Sequence, residues 1–307
     1  MVLEQLKCYW RSKFNILLLL LPLLGILPAI WQDYTEKQEF AQALDQAVSN
    51  TDMEYLTMMV ESFTGLYSFE RLFFLNSAFF LLFWMILMIG MGIHIGGQTF
   101  STLQSGYGNN IMVRTNYKDY IRNTLLAQFI YLFTFFCCLF IIIFIGCLLW
   151  GGGGFQVPYV SSLRELGQEY GPVQDISICR YLLTLLGLVL YSIICMIPLI
   201  LISSLSSIFL KNKYIIQFLP VLILIGGYIF AFLFGNINET LSYIMRQFIF
   251  EHALINLSSL FSPNIVPVNG SVMESVIYVV LYPLMLIIVF SVLYKINVGR
   301  LGKDYLL

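Results

Sequence analysis

Charge is scarce in this chain: Asp, Glu, Lys and Arg make up 11 % of its 307 residues, and there are only two histidines. Six stretches, 14–31, 72–95, 124–150, 181–210, 214–235 and 275–294, contain no formally charged residue, and each is at least 18 residues long. Motifs with chemistry are missing too. There is no phosphate-cradling glycine loop ending in Lys-Ser or Lys-Thr, no paired-cysteine metal motif and no HExxH, which excludes an autonomous nucleotide hydrolase, a zinc ribbon and a metallopeptidase of that type. No catalytic residue, cofactor site or metal site is expected, and no nucleic-acid partner. The six cysteines offer no disulfide framework: Cys137, Cys138, Cys147 and Cys195 fall inside the apolar stretches.

What is present is apolar length. At 1.5 Å per residue, 18 residues of helix cover about 27 Å, close to the hydrocarbon thickness of a bilayer. Nothing at that depth can hydrogen-bond a bare backbone, so such stretches fold as helices. The expected fold class is an all-α integral membrane protein with six transmembrane helices. Residues 14–31 are too long for the apolar core of a secretory signal and lack a small-residue cleavage site, so they read as an anchored span.

An even number of spans puts both termini on one side. That side collects Lys7, Arg11, Lys13, Arg114, Lys118, Arg122, Lys211, Lys213, Lys295, Arg300 and Lys303, against Glu4, Asp119 and Asp304 alone. Basic loops stay cytoplasmic during insertion, so both termini are expected in the cytoplasm.

The connections carry their own patterns. In 1–13, Leu3, Leu6, Trp10 and Phe14 recur at helical spacing with Lys7 and Arg11 on another face, which predicts an interfacial helix against membrane lipid. The acidic outer segment 32–70 predicts two amphipathic helices broken near Ser49-Asn50, with N-caps at Asp33 and Thr51 and apolar stripes of Phe40, Leu44, Val48 and Leu56, Val60, Phe63, Tyr67. The glycine run 151–154 should end the third span, and Pro158, Gly171 and Pro172 predict an irregular loop after it. Pro198 should kink the fourth span, with Ser203, Ser204, Ser206 and Ser207 serving close packing, freed carbonyls or a polar lining. Residues 236–274 predict a re-entrant outer hairpin, because the apolar run 253–261 is too short to cross and Pro263 and Pro267 would turn it back. Phe248, Leu254 and Leu257 are its candidate gate residues, with Arg246, Glu251 and His252 nearer water. His94 and His252 are too isolated to pair by spacing.

Charge-free spans exclude most intramembrane enzymes and argue against a transporter that carries its coupling ion on membrane carboxylates. Energy would then come from a separate subunit docked on the cytoplasmic loops. The largest of these, 96–123, predicts a short helix over 99–105 that is stopped by Gly106 and Gly108 and lies across the mouth of the bundle.

That loop resembles its counterpart in the ABC-2 family of ABC-transporter permeases. Gly106-Tyr107 resembles the family's Gly-Thr pair, Ile111-Met112-Val113 its apolar stretch, and Arg114 and Lys118 its basic positions. Thr102 and Gln104 stand where the family has acidic residues. The resemblance implies a single permease domain over 1–307 and coupling to an ABC ATPase subunit through Phe100, Leu103, Gln104, Gly106, Tyr107, Arg114 and Lys118. It also implies a second permease subunit, identical or similar, and a bacterial plasma membrane. ATP and magnesium would sit on the partner ATPase, so this chain is not expected to be an enzyme. The implied function is export of an amphipathic or hydrophobic substrate (peptide, lipid or drug), and the long segment after span one resembles permeases of peptide-antibiotic export and immunity. The alternative is a non-transporting scaffold or sensor that uses the acidic outer segment.

Overall fold

The computed structural model describes residues 2–46, 50–70, 78–105, 117–151, 177–207, 209–235, 246, 249–261 and 272–304. Among these the chain is nearly all helical, 94 %, with no strand. Six helices are long and apolar enough to cross a membrane. In chain order the helices are α1 (Val2–Arg11), α2 (Phe14–Gln46), α3 (Asn50–Ser62), α4 (Gly65–Glu70) and α5 (Ala78–Met91). A π-helical turn (Gly92–Gly96) and α6 (Gly97–Gln104) follow, then α7 (Tyr117–Gly151), α8 (Ile178–Ser206), α9 (Lys213–Gly235), α10 (Phe250–Phe261) and α11 (Val272–Asp304).

The bundle is built around α8. Of its most apolar window 67 % is buried, against 17 % for the last span, and α8 touches α7, α9, α10, α11, α6 and the π turn. The outer spans turn Ile16, Leu20, Leu24, Phe129, Phe133, Ile141, Leu222 and Ile288 outward. A water-soluble monomer would hide so continuous an apolar surface, and a bilayer supplies the solvent it needs.

Two expected breaks are absent. The first span does not stop at Trp31 with a new helix capped by Asp33; α2 runs unbroken to Gln46. Residues 32–46 contain no glycine or proline and are rich in Gln, Glu and Ala, so the helix propagates, helped by Gln32 donating to Glu36 at 2.6 Å across one turn. Asp33 is therefore a mid-helix residue, buried and held by the Ser68 hydroxyl at 2.6 Å. Val48 and Ser49 lie outside the described residues, while Phe63 and Tyr67 flank or belong to α4 rather than continuing the stripe of α3.

The second difference lies at span two. Gly96 and Gly97 do not release the chain into a loop: both keep right-handed helical angles, and one continuous helix reaches Gln104. Glycine there permits close approach. A Cβ on Gly92 would lie 2.0 Å from the Gln217 carbonyl oxygen of α9, and one on Gly96 would lie 2.9 Å from Ser203 Oγ of α8. The π turn inserts one extra residue, the usual local adjustment in a helix under such packing.

Candidate functional site

One end of the bundle gathers α1, the start of α2, α6, the start of α7, the end of α8 and the end of α11 around a set of neutral polar side chains. Gln128 of α7 donates to Tyr9 Oη and to Thr99 Oγ1, both at 2.9 Å. Thr99 of α6 lies 2.9 Å from Ser204 Oγ of α8. Tyr131 donates to Asn15 Oδ1 at 2.7 Å, and Asn15 Nδ2 donates to the Tyr9 carbonyl at 2.7 Å and the Trp10 carbonyl at 3.0 Å. Asn15 thus closes carbonyls left open where α1 ends. Gln5 donates to Thr124 at 2.9 Å, and Asn297 of α11 donates to the Leu205 carbonyl at 3.2 Å.

These bonds fix α1 against the spans through Gln5 and Tyr9. Leu3 and Trp10, from the apolar stripe, remain exposed. Burial pushes the Tyr9 phenol up to about 12, against the opposing pull of the Gln128 hydrogen bond, so it stays a neutral donor and acceptor. The serines at the end of α8 are buried: Ser203 donates to the Ile200 carbonyl at 2.7 Å and Ser207 to the Ser204 carbonyl at 2.6 Å, while Ser204 reaches across to Thr99. These contacts serve packing and carbonyl satisfaction, and Ser204 also borders a narrow crevice beside Thr99 and Leu103.

The candidate coupling residues divide. Phe100 is buried, Leu103 lines a narrow crevice with Tyr120, Ile121 and Leu205, and Gln104 is exposed at the tip of α6. Lys118 is exposed at the start of α7. Gly106, Tyr107 and Arg114 lie outside the described residues. The helix expected to lie across the mouth is instead the end of span two, packed on α8 and α9.

At the opposite end, two carboxylates sit inside the protein. Asp33 takes the Ser68 hydrogen bond, and Glu70 accepts one from the Tyr181 hydroxyl. α4 approaches α7 so closely that a Cβ on Gly65 would lie 2.3 Å from the Cys147 carbonyl oxygen. Nearby, α10 packs on α8 and α11, with the Phe250 ring 5.2 Å from Trp84 and 5.8 Å from Tyr282. Leu254 and Leu257 are buried by these helices of their own chain. Phe248, Pro263 and Pro267 lie outside the described residues. Arg246 is exposed and His252 half-buried, but Glu251 is buried, because it stands on the inner side of a helix rather than in a solvated loop. Asn256, which interrupts the apolar run, is buried and satisfied by its own helix, donating to the His252 carbonyl at 2.7 Å. Among the described residues no three His, Cys, Asp or Glu side chains converge on a point where a metal could sit.

Comparison with protein-family models, curated proteins and solved structures returned no match. Counting charges misses the neutral network above. Its trace in sequence is an amide in each of two apolar stretches, Asn15 and Gln128, where a polar group in lipid needs a partner.

Proposed function

We propose that the protein is the permease subunit of an ABC-2-type ATP-binding-cassette exporter, paired with a second permease subunit and driven by ATPase subunits at the α1 end. The observation that carries this reading is the construction of α6. It is the rigid end of span two, its tip residue Gln104 is exposed, and its Thr99 is bonded to both α7 and α8. Force applied to that tip would reach three spans without passing through a flexible joint. The exposed cations Lys7, Arg11, Lys118, Arg122, Lys213 and Lys295 at this end support a cytoplasmic orientation. A wholly apolar crevice of about 380 Å³ between α7 and α8, lined by Phe140, Phe144, Leu185 and Val189 among others, suits an amphipathic or hydrophobic substrate. The gate assignment changes form: α10 would move with α8 and α11 as part of the bundle.

The test is purification of the tagged chain from its native membrane in mild detergent. An ATP-hydrolysing subunit is expected to accompany it and to be lost on Gln104→Arg, which puts a bulky charge of the sign opposite to the family's at the tip, with expression intact. Purification without such a subunit, whatever the substitution, would remove the reading. The rival scaffold or sensor draws support from α3 packing back on the extension of α2, which makes the acidic segment a built helical element.

A further inference from the structure

A cavity of about 310 Å³ opens beside the π turn, bounded by Ser12 and Phe14 before and at the start of α2, His94, Gly97 and Gln98 on span two, and Lys213 and Gln217 at the start of α9. His94 is only 6 % exposed, and its Nε2 has no hydrogen-bond partner. Its ring is held by stacking on Phe14 at 5.6 Å and by a hydrogen bond with the Tyr9 backbone. A ring that donates to a carbonyl through Nδ1 presents Nε2 as a lone-pair acceptor. Gln98 lines the same cavity, and its side-chain carbonyl oxygen is a second buried acceptor without a partner. Two orphan acceptors call for a donor, since leaving a buried polar group unmade costs more than the average hydrogen bond contributes.

The rim has the opposite chemistry. Lys213 is an exposed cation on the cavity wall. The first backbone amides of α9 are already taken, Tyr214 donating to Asn212 Oδ1 at 2.9 Å, so the ammonium is the group offered to an anion. The chain on both sides continues into exposed apolar residues: Ile16 and Leu17 follow Phe14, and Tyr214 and Ile215 follow Lys213. The site therefore presents acceptors inside, a cation at its mouth and lipid-facing surface beside it.

We propose that this cavity binds a phospholipid headgroup that carries hydrogen-bond donors next to its phosphate, ethanolamine phosphate being the simplest. The ammonium N–H groups satisfy His94 Nε2 and Gln98 Oε1, the phosphate pairs with Lys213, and the acyl chains leave along the apolar faces of α2 and α9. Choline headgroups have the same phosphate and the same charge but no N–H, so they leave both acceptors bare. The inference stands whether or not the protein is a permease.

Native mass spectrometry of the purified full chain, titrated with phosphatidylethanolamine or phosphatidylcholine, tests it. Phosphatidylethanolamine is expected to bind about tenfold or more tightly than phosphatidylcholine, the scale of one lost hydrogen bond to a charged donor. Gln98→Leu and His94→Phe should each shrink that preference, while Lys213→Gln weakens both lipids and keeps their ratio. Soluble phosphoethanolamine competing as well as the lipid would keep the chemistry and assign the site to a free amine phosphate. Equal binding of the two lipids by the unaltered protein, or a preference that survives both Gln98→Leu and His94→Phe, would overturn the proposal and leave water in the cavity.

Discussion

Thr99 and Ser204, 105 positions apart, join span two to the central helix through hydroxyls 2.9 Å from each other. Thr99 also receives the Gln128 amide, so one side chain ties α6, α7 and α8 together. Thr99→Val keeps the shape and removes both interhelical bonds. Each such bond in a membrane protein averages about 0.6 kcal/mol, so the expected loss is roughly 1 kcal/mol, seen as a lower melting temperature in detergent. Thr134→Val is the control, because Thr134 is exposed and bonds only its own helix at the Ile130 carbonyl. A double-mutant cycle of Thr99→Val with Ser204→Ala should show coupling, and strict additivity would mean the contact contributes nothing.

Gly92 at the π turn and Gly146 within α7 should respond differently to an added methyl group. A Cβ at Gly92 meets backbone, which cannot rotate away, so Gly92→Ala forces α9 and span two apart. Overpacking of that kind costs about 1–3 kcal/mol. At Gly146, well inside α7, an added Cβ would meet nothing within 4 Å. There Ala should be neutral or stabilising by roughly 0.5–1 kcal/mol, through the lower backbone entropy of the unfolded chain. Melting curves of the two variants should move in opposite directions or, at the least, only Gly92→Ala should fall.

The six spans were legible because the cost of a charge in lipid writes itself into composition, and every charge-free stretch became the body of a long helix. Helix ends were not. Residues 32–46 read as a separate amphipathic helix capped at Asp33, yet helix propensity carries α2 through them without a break, and Asp33 is buried because α4 folds back onto it. Gly96-Gly97 looks like a break, and only the neighbouring Gln217 and Ser203 reveal that the glycines serve contact. The polar network was hidden for a related reason. Gln128 and Tyr9 are 119 residues apart, and no local pattern reports a partner at that distance. For the coupling loop, residue types in 106–114 could be compared with a family, but the packing of α6 against α8 and α9 has no signature in sequence.

His252 on α10 predicts a pH effect. Burial holds its imidazole below the ordinary 6.5, and the positive charge of Arg246 adds to the shift. The unfolded chain then binds a proton that the folded chain refuses, so stability is complete above about 6.5 and falls as pH drops below it. Melting temperature should decline more between about pH 7.5 and pH 5 for the unaltered protein than for His252→Gln. Parallel declines would show that His252 is free to protonate in the fold.

Orientation is open to direct measurement. Asp45 is exposed near the end of the α2 extension, and Arg122 is exposed near the start of α7, at the end of the bundle where α1 docks. In a background without the exposed Cys8, Cys138 and Cys179, each site can carry the only accessible cysteine. If the basic end is cytoplasmic, a membrane-impermeant maleimide added to intact cells should label Asp45→Cys and leave Arg122→Cys unmodified until the membrane is opened. Both positions are polar and point away from the core, so neither substitution disturbs packing enough to confuse the result. The reverse pattern would turn the protein over, and it would move the exposed tip of α6 to the outside, where no ATPase could reach it. Labelling at both sites in sealed cells would break the six-span topology itself, because Asp45 and Arg122 are separated by one complete crossing in the bundle.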